Sequence, residues 1–211
     1  IASCVTRYPD RLLGLAHVEE WLITSDPHES LARVVKAVQQ QGLSGLHFLP
    51  NQLDLYGQYG PWEGGCFQPF WDGFAELDVP VFFTLRERRD PTLDSFKQEL
   101  ESLGRWLERY PDVKVILTHG LNWRLYKKQD RISLPDYVWT PFENPNVYLQ
   151  FLFPIALGGD WDYPMPQIQP VLEKLVSYMG PERLIWGTDI PMVMRYYPSR
   201  QTLNYIRLYS N

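Results

Sequence analysis

The chain has 211 residues and a formal net charge of −5, with 45% hydrophobic and 15% aromatic residues. This length and apolar content can bury a core, so we expect one folded domain over residues 1–211 and exclude a mainly disordered protein. Because the balance is mildly acidic and the basic residues are scattered, neither nucleic acid nor a membrane is expected as a partner.

Cysteine use and hydropathy predict where the protein resides. Cys4 and Cys66 are too few for a disulfide framework, and two free thiols are favoured over a pair. The sequence has no apolar run long enough for a transmembrane helix and no signal pattern at its start. We therefore expect a cytoplasmic protein, and a homodimer is an assembly that the sequence leaves open.

The first half of the chain alternates strand and helix patterns. Asp26 and Pro27 are typical of a helix start and Gly42 of a helix end. A loop over residues 51–66 is longer than an ordinary connection, which favours a functional role. The predicted elements are a strand at Leu12–Val18, the helix ending at Gly42, a strand at Gly45–Pro50, a helix at Phe67–Leu77 and a strand at Pro80–Leu85.

The second half continues the same alternation. Its helices are amphipathic, with apolar residues three or four positions apart. A second long loop, residues 153–166, is rich in Gly, Pro and aromatic residues. The predicted elements are a helix opened by Asp90, Pro91 and Thr92 and ending at Tyr110 and Pro111, strands at Val113–Thr118 and Val147–Leu152, a helix at Gln167–Tyr178, a strand at Arg183–Trp186 and a helix at Ser199–Tyr209.

Short apolar strands that alternate with helices predict a parallel α/β sheet joined by right-handed crossovers. Two architectures fit about six such strands: an open doubly wound sheet, or part of an eight-stranded barrel. No glycine-rich nucleotide fingerprint follows a strand, which disfavours a dinucleotide-binding fold.

Polar residues follow three of the predicted strands, at the edge where ligands gather in parallel α/β folds. The third strand ends at Thr84 before a cluster of arginines that includes Arg86 and Arg88. His119 follows the fourth strand and Asp189 follows the last. A histidine and a carboxylate at one edge can perform acid–base chemistry or bind a metal ion.

Each candidate also has a purely structural interpretation. His119 could be a satisfied structural histidine, and Asp189, close before a proline, could cap a helix. A site role for His17 or His47, near strand ends, is the less favoured interpretation, and His28, at a helix start, is interpreted as a solvated or capping residue. The arginine cluster fits a substrate carboxylate or a solvated loop equally well. Aromatic residues of the two long loops could line a pocket or simply pack the loops: Tyr56, Tyr59, Trp62, Trp161 and Tyr163.

The order of motifs resembles the amidohydrolase-related family of the metal-dependent hydrolase superfamily. The motifs are YPDRLLGLAHV, QGLSGLHFLP, LDVPVFFTL, YPDVKVILTHG, NPNVYLQF and GPERLIWGTDIP, of which VILTHG and RLIWGTDIP are the most specific. The family includes aminocarboxymuconate-semialdehyde decarboxylase and aromatic-acid decarboxylases. The resemblance implies a (β/α)8 TIM barrel, of which this chain holds about strands three to eight.

The resemblance also implies site residues. His119 matches the sixth-strand histidine that acts on substrate or water, and Asp189 matches the eighth-strand aspartate that binds the metal or acts as a base. Thr84 stands where the family has a third metal histidine, and the HxH metal pair of the first strand is missing. His47, Thr84, Arg86 and Arg88 are our candidates for substrate binding.

Two functions follow from this resemblance. The first is a metal-dependent enzyme that hydrolyses a C–N, C–O or lactone bond, or decarboxylates a small aromatic or carboxylate-bearing acid. A divalent ion, zinc by expectation, would be its cofactor, although Thr84 and the missing HxH also fit a metal-free subgroup. The alternative is an inactive, metal-free barrel that serves as a binding or partner subunit. Because the chain starts at Ile1 and lacks the first strands, we expect it to be part of a longer protein.

Overall fold

A computed structural model describes residues 1–57, 60–86, 92–152 and 160–209. Six strands form one sheet in which every neighbouring pair is parallel. This confirms the predicted parallel α/β class. The strands are β1 (Ala16–His17), β2 (Leu46–Phe48), β3 (Val81–Phe83), β4 (Val115–Leu117), β5 (Val147–Leu152) and β6 (Leu184–Gly187).

The strand order distinguishes between the two predicted architectures. Each strand pairs with the next one in the chain, from β1 to β6. A doubly wound sheet reverses its order at a switch point, whereas a barrel keeps one direction around its circumference. Among the described residues β1 and β6 do not pair, so these six strands form an incomplete barrel.

Helices lie in the connections between the strands, and local sequence signals explain their ends. In α3 the Asp26 side chain accepts a hydrogen bond from the Glu29 amide at 2.9 Å, and Pro27 opens the helix. In α6 Thr92 and Ser95 form a reciprocal capping box. The helices are α1 (Ala2–Arg7), α2 (Glu20–Ile23), α3 (Pro27–Gln39), α4 (Gln52–Leu55), α5 (Gln68–Ala75), α6 (Leu93–Arg109), α7 (Gln169–Met179) and α8 (Ser199–Tyr209).

An aromatic cluster fills the core between β2, β3, α5 and α6. Trp71 and Trp106 meet edge-to-face at 5.4 Å between ring centroids, and Phe83 of β3 lies 5.3 Å from Trp106. Trp62 is completely buried among them, and its Nε1 donates to Glu99 at 3.0 Å. Trp62 therefore packs its loop against the core, which is the second of the two roles considered for the loop aromatics.

Two predicted segments differ most from the observed elements. The strand predicted at Leu12–Val18 is only Ala16–His17, because Leu12 and Leu13 are 42% and 82% exposed and do not join the sheet. The long loop over residues 51–66 contains a short helix, α4, and a 3-10 turn at Gly65–Phe67. By contrast, the bounds predicted for β5 and α8 are the observed ones.

Two further sequence predictions can be compared with the described residues. Cys4 and Cys66 are both free and exposed, as expected of unpaired thiols. Within the described ranges, none of the helices combines the length and apolar character needed to cross a membrane.

Candidate active site

His119 and Asp189 meet at the carboxyl edge of the sheet. His119 follows β4 and Asp189 follows β6, and the imidazole Nε2 lies 3.9 Å from a carboxylate oxygen. Their side chains are 30% and 29% exposed, so both are reachable from solvent but partly screened from it. The pairing expected from the two strand ends is therefore present in the structure.

Both residues sit on left-handed backbone. His119 has φ 63° and Asp189 has φ 53°, and His119 is followed by Gly120 at φ 72°. This conformation is unfavourable for most residues other than glycine, and strain of this kind tends to concentrate at functional sites. At Gly120 a Cβ atom would lie 2.6 Å from the Trp123 ring, so the turn that presents His119 requires glycine.

Two threonine hydroxyls connect His119 to His47. His47 Nε2 lies 2.7 Å from Thr84 Oγ1, which lies 2.6 Å from Thr118 Oγ1. Thr118 Oγ1 is 3.1 Å from His119 Nδ1, and Thr84 Oγ1 is 3.5 Å from the same nitrogen. The structure thus brings together three predicted site residues, and Thr84 touches both histidines while it is only 2% exposed.

Burial shapes the electrostatics of both histidines. Burial lowers the pKa of His47 to about 4, with smaller contributions from His17 and His119. Burial also lowers the pKa of His119; nearby Arg86 acts in the same direction, and the Asp189 carboxylate opposes it. Both rings are therefore neutral at neutral pH, and His119 is suited to accept a proton.

Two residues around the site, Gln150 and Glu20, were not singled out from sequence, whereas His17 was considered there for a site role. Gln150, on β5 between the strands that carry the pair, accepts from the His119 amide at 3.5 Å. The His17 ring on β1 lies 6.5 Å from the His47 ring. Buried Glu20 accepts from the Leu49 amide at 2.8 Å and so holds the chain that follows β2. Only a position on or beside a strand end could have indicated these roles.

The arginine cluster is only partly described. Arg86 is exposed at the end of the segment after β3 and close enough to His119 to affect its pKa. Arg88 lies outside the described residues, as does Tyr59. Two of the other loop aromatics make structural contacts: Tyr56 packs on Trp21 at 5.2 Å, and the Trp161 indole donates to the Gln129 carbonyl at 3.4 Å.

The donor set determines whether these residues fit a metal ion. No group of three or more His, Cys, Asp or Glu side chains in the described part of the chain is arranged to bind one. His119 and Asp189 are two donors, whereas protein metal sites normally use three or more. Thr84, which the motif resemblance matched to the family's third metal histidine, makes hydrogen bonds with His47 and Thr118. The described residues therefore do not fit a complete metal site.

A family model described as "Amidohydrolase" matches residues 2–207, nearly the whole chain. The chain belongs to the amidohydrolase family. This confirms the resemblance read from the motifs and places the chain in a family of enzymes. Among curated proteins, no relative matches the sequence.

Solved structures agree on the fold. A dihydroxybenzoic acid decarboxylase from Polaromonas sp. JS666, with bound manganese and the inhibitor 2-nitroresorcinol, aligns with TM-score 0.64 at 19% identity, over 100% of this chain and 67% of that one. A TIM-barrel protein from Bordetella bronchiseptica aligns with TM-score 0.67 at 19% identity, over 99% of this chain and 63% of that one.

The solved structure of a hydrolase aligns with this chain about as well as the two structures above. A probable 2-pyrone-4,6-dicarboxylic acid hydrolase from Acinetobacter baumannii, with citric acid bound, aligns with TM-score 0.63 at 18% identity, over 98% of this chain and 68% of that one. At these identities the similarity establishes the barrel fold alone. This amidohydrolase chain spans about two thirds of the length of these three proteins, between 63% and 68%.

Proposed function

We propose that this chain forms part of the active site of an amidohydrolase-family enzyme that acts on a small aromatic or carboxylate-bearing acid. The reaction is decarboxylation, or hydrolysis of a C–N, C–O or lactone bond. The observation that carries the proposal is the contact between His119 and Asp189 at 3.9 Å, on the edge of the sheet where barrel enzymes hold their substrates.

His119 is the proposed proton-transfer group. Because its pKa is lowered, the ring is neutral, and Nε2 is the nitrogen that lies 3.9 Å from the Asp189 carboxylate. In hydrolysis the ring would take a proton from water as water attacks. In decarboxylation a proton must replace the departing carbon dioxide on carbon: His119 Nε2 would first take up a proton from water or from a substrate hydroxyl and then deliver it to that carbon.

Asp189 and Arg86 have supporting roles in this proposal. The Asp189 carboxylate stabilises the imidazolium that forms when His119 takes a proton, since it lies beside the protonated nitrogen. Arg86 is exposed and close enough to His119 to lower its pKa, and its guanidinium suits a substrate carboxylate. Thr84 contacts both His47 and His119, so we propose that His47 and Thr84 affect the substrate mainly through His119.

The metal ion is a separate part of the proposal. Manganese in the Polaromonas decarboxylase supports a divalent ion in the whole enzyme, with Asp189 as our candidate ligand and zinc as the metal implied by the resemblance. The described residues do not complete a site for it. We therefore assign no step of the reaction to an ion.

A substrate panel tests the proposed function. Dihydroxybenzoates and a pyrone dicarboxylate, the classes named for two structural relatives, would be incubated with the full-length protein, with and without added Mn²⁺ or Zn²⁺. We expect release of carbon dioxide or lactone opening with at least one acid, and loss of that turnover in His119→Gln. If no acid of either class turns over under any metal condition, the proposal fails.

The second candidate function is a metal-free barrel that binds a ligand without chemistry. It is favoured by Thr84, whose hydroxyl makes hydrogen bonds at the position of the family's third metal histidine. Calorimetric titration of the same acids would distinguish the two functions. Binding without turnover, by a protein that contains no stoichiometric metal, supports the binding module.

A further inference from the structure

The Thr84–Thr118 hydroxyl pair constrains where protons lie in the site. Both side chains are nearly inaccessible, at 2% and 7% exposure, so water does not replace their hydrogen bonds. A threonine hydroxyl has one proton to donate and two lone pairs that accept. Once one hydroxyl in a chain has a fixed acceptor, the direction of the whole chain is determined.

A backbone carbonyl provides that fixed acceptor. Thr118 Oγ1 lies 3.2 Å from the Phe83 carbonyl oxygen, which can only accept and which also receives the Thr118 amide at 2.8 Å. If the Thr118 hydroxyl donates to this carbonyl, it must accept from Thr84 across the 2.6 Å contact. Thr84 has then used its only proton, so it must accept from His47 Nε2 at 2.7 Å.

The same reasoning applies to His119. Its Nδ1 faces the Thr118 oxygen at 3.1 Å and the Thr84 oxygen at 3.5 Å. Neither hydroxyl has a proton left for this nitrogen, because each has already donated elsewhere. A hydrogen bond forms only if His119 Nδ1 carries the proton, and its Nε2 then presents a lone pair on the side of Asp189.

We propose that Thr84 and Thr118 are positioning residues that set the tautomers of two histidines, with the proton on Nε2 in His47 and on Nδ1 in His119. The catalytic consequence of these tautomers rests on the proposed function. With the proton on Nδ1, Nε2 is the atom of His119 that takes up a proton during the reaction. The imidazolium then faces the Asp189 carboxylate 3.9 Å away. Low accessibility of both hydroxyls and the lowered pKa of His47 are consistent with a neutral, hydrogen-bonded pair of rings.

Nitrogen-15 NMR of labelled histidine tests this without any substrate. At about pH 8 neutral rings dominate, and protonated and unprotonated ring nitrogens resonate far apart. His47 and His119 would be assigned from the signals lost in His47→Gln and His119→Gln of the full-length protein. We expect the stated tautomer of each ring in more than about tenfold excess, the scale of one good hydrogen bond.

Two near-isosteric variants should each change the tautomer of a different histidine. In Thr84→Val the Thr118 hydroxyl still accepts from His119, so only His47 should lose its tautomer preference. In Thr118→Val the Thr84 proton loses its acceptor and can turn to His119 Nδ1, so His119 should shift towards the Nε2-protonated form while His47 keeps its donor role. Thr84→Ser and Thr118→Ser retain the hydroxyls and should restore both wild-type spectra.

The wild-type spectrum decides the proposal even if a valine variant does not fold. An unprotonated His47 Nε2 or an unprotonated His119 Nδ1 would overturn it. So would valine variants that leave both tautomers unchanged. The proposed function fails separately, by absence of turnover in the substrate panel, since tautomers are measured on the enzyme without substrate.

Discussion

His119 Nε2 lies 3.9 Å from the Asp189 carboxylate, although strand β5 separates the two strands after which these residues follow. Both residues sit on left-handed backbone just past their strands, with φ 63° at His119 and φ 53° at Asp189. Gln150 of β5 lies between them in the sheet order and accepts from the His119 amide. The pair is therefore held by three consecutive strands.

Asp189→Asn should abolish turnover and leave folding nearly intact. Asparagine tolerates the left-handed conformation of residue 189 as well as aspartate does, so little stability is lost. The amide cannot stabilise the His119 imidazolium, and we expect turnover to fall by about 10²-fold or more. Turnover and thermal unfolding would be measured together. Asp112→Asn, an exposed change just before β4 at the other end of the sheet, is the matched control and should alter neither quantity.

Arg86→Leu should weaken substrate binding more than it slows chemistry. Loss of one charged hydrogen-bonding partner of a carboxylate corresponds to about 10- to 100-fold in KM. Arg33→Leu, which removes an exposed arginine of α3, should leave KM unchanged. An equal rise of KM in both variants, or none in Arg86→Leu, would refute the assigned role. Both would be measured by steady-state kinetics on the acid that turns over.

Two glycine-to-alanine changes should shift stability in opposite directions. At Gly120, with φ 72°, the new Cβ would lie 2.6 Å from the Trp123 ring, and we expect a loss of about 1–3 kcal/mol. At Gly104, inside α6, a Cβ meets nothing within 4 Å, and alanine should stabilise by about 0.5–1 kcal/mol. Urea unfolding measures both changes. A neutral Gly120→Ala would show that the turn at His119 does not need glycine.

Stability should fall in acid, and His47 should account for part of the loss. Its pKa is about 4 in the folded protein, below the usual value of 6.5, so the folded state favours the neutral ring. This stabilisation is complete above pH 6.5 and is lost as pH falls towards 4, because the unfolded chain takes up the proton first. The free energy of unfolding would be compared at several pH values across this window. His47→Gln should show a shallower decline, whereas parallel pH profiles would contradict this assignment.

The sequence predicted the barrel strands well where apolar runs and turn residues coincide. Val147–Leu152 has both, and its predicted and observed bounds agree. The Leu12–Val18 run is equally apolar, but only its last residues reach the neighbouring strand, where Ala16 pairs with Leu46. Pattern alone does not show where pairing begins, because Leu12 and Leu13 remain in solvent.

The site was predictable in its members but not in its connections. His119 and Asp189 were predicted as site residues because each follows a strand, and the order of motifs supported both. The contacts of Thr84 with His47 and Thr118 span 37 and 34 positions along the chain and depend on the register of three strands. No spacing rule within one segment contains that register, so the sequence could mark Thr84 only as a polar residue at a strand end and as a departure from the histidine that the family resemblance implies.

A double-mutant cycle tests the central claim most directly. Turnover would be measured for wild type, His119→Gln, Asp189→Asn and the double variant on one substrate acid. Residues that act as one unit are strongly non-additive, so each single variant should lose nearly as much turnover as the double. Independent, multiplying losses, or a single variant with wild-type turnover, would contradict a His119–Asp189 catalytic pair.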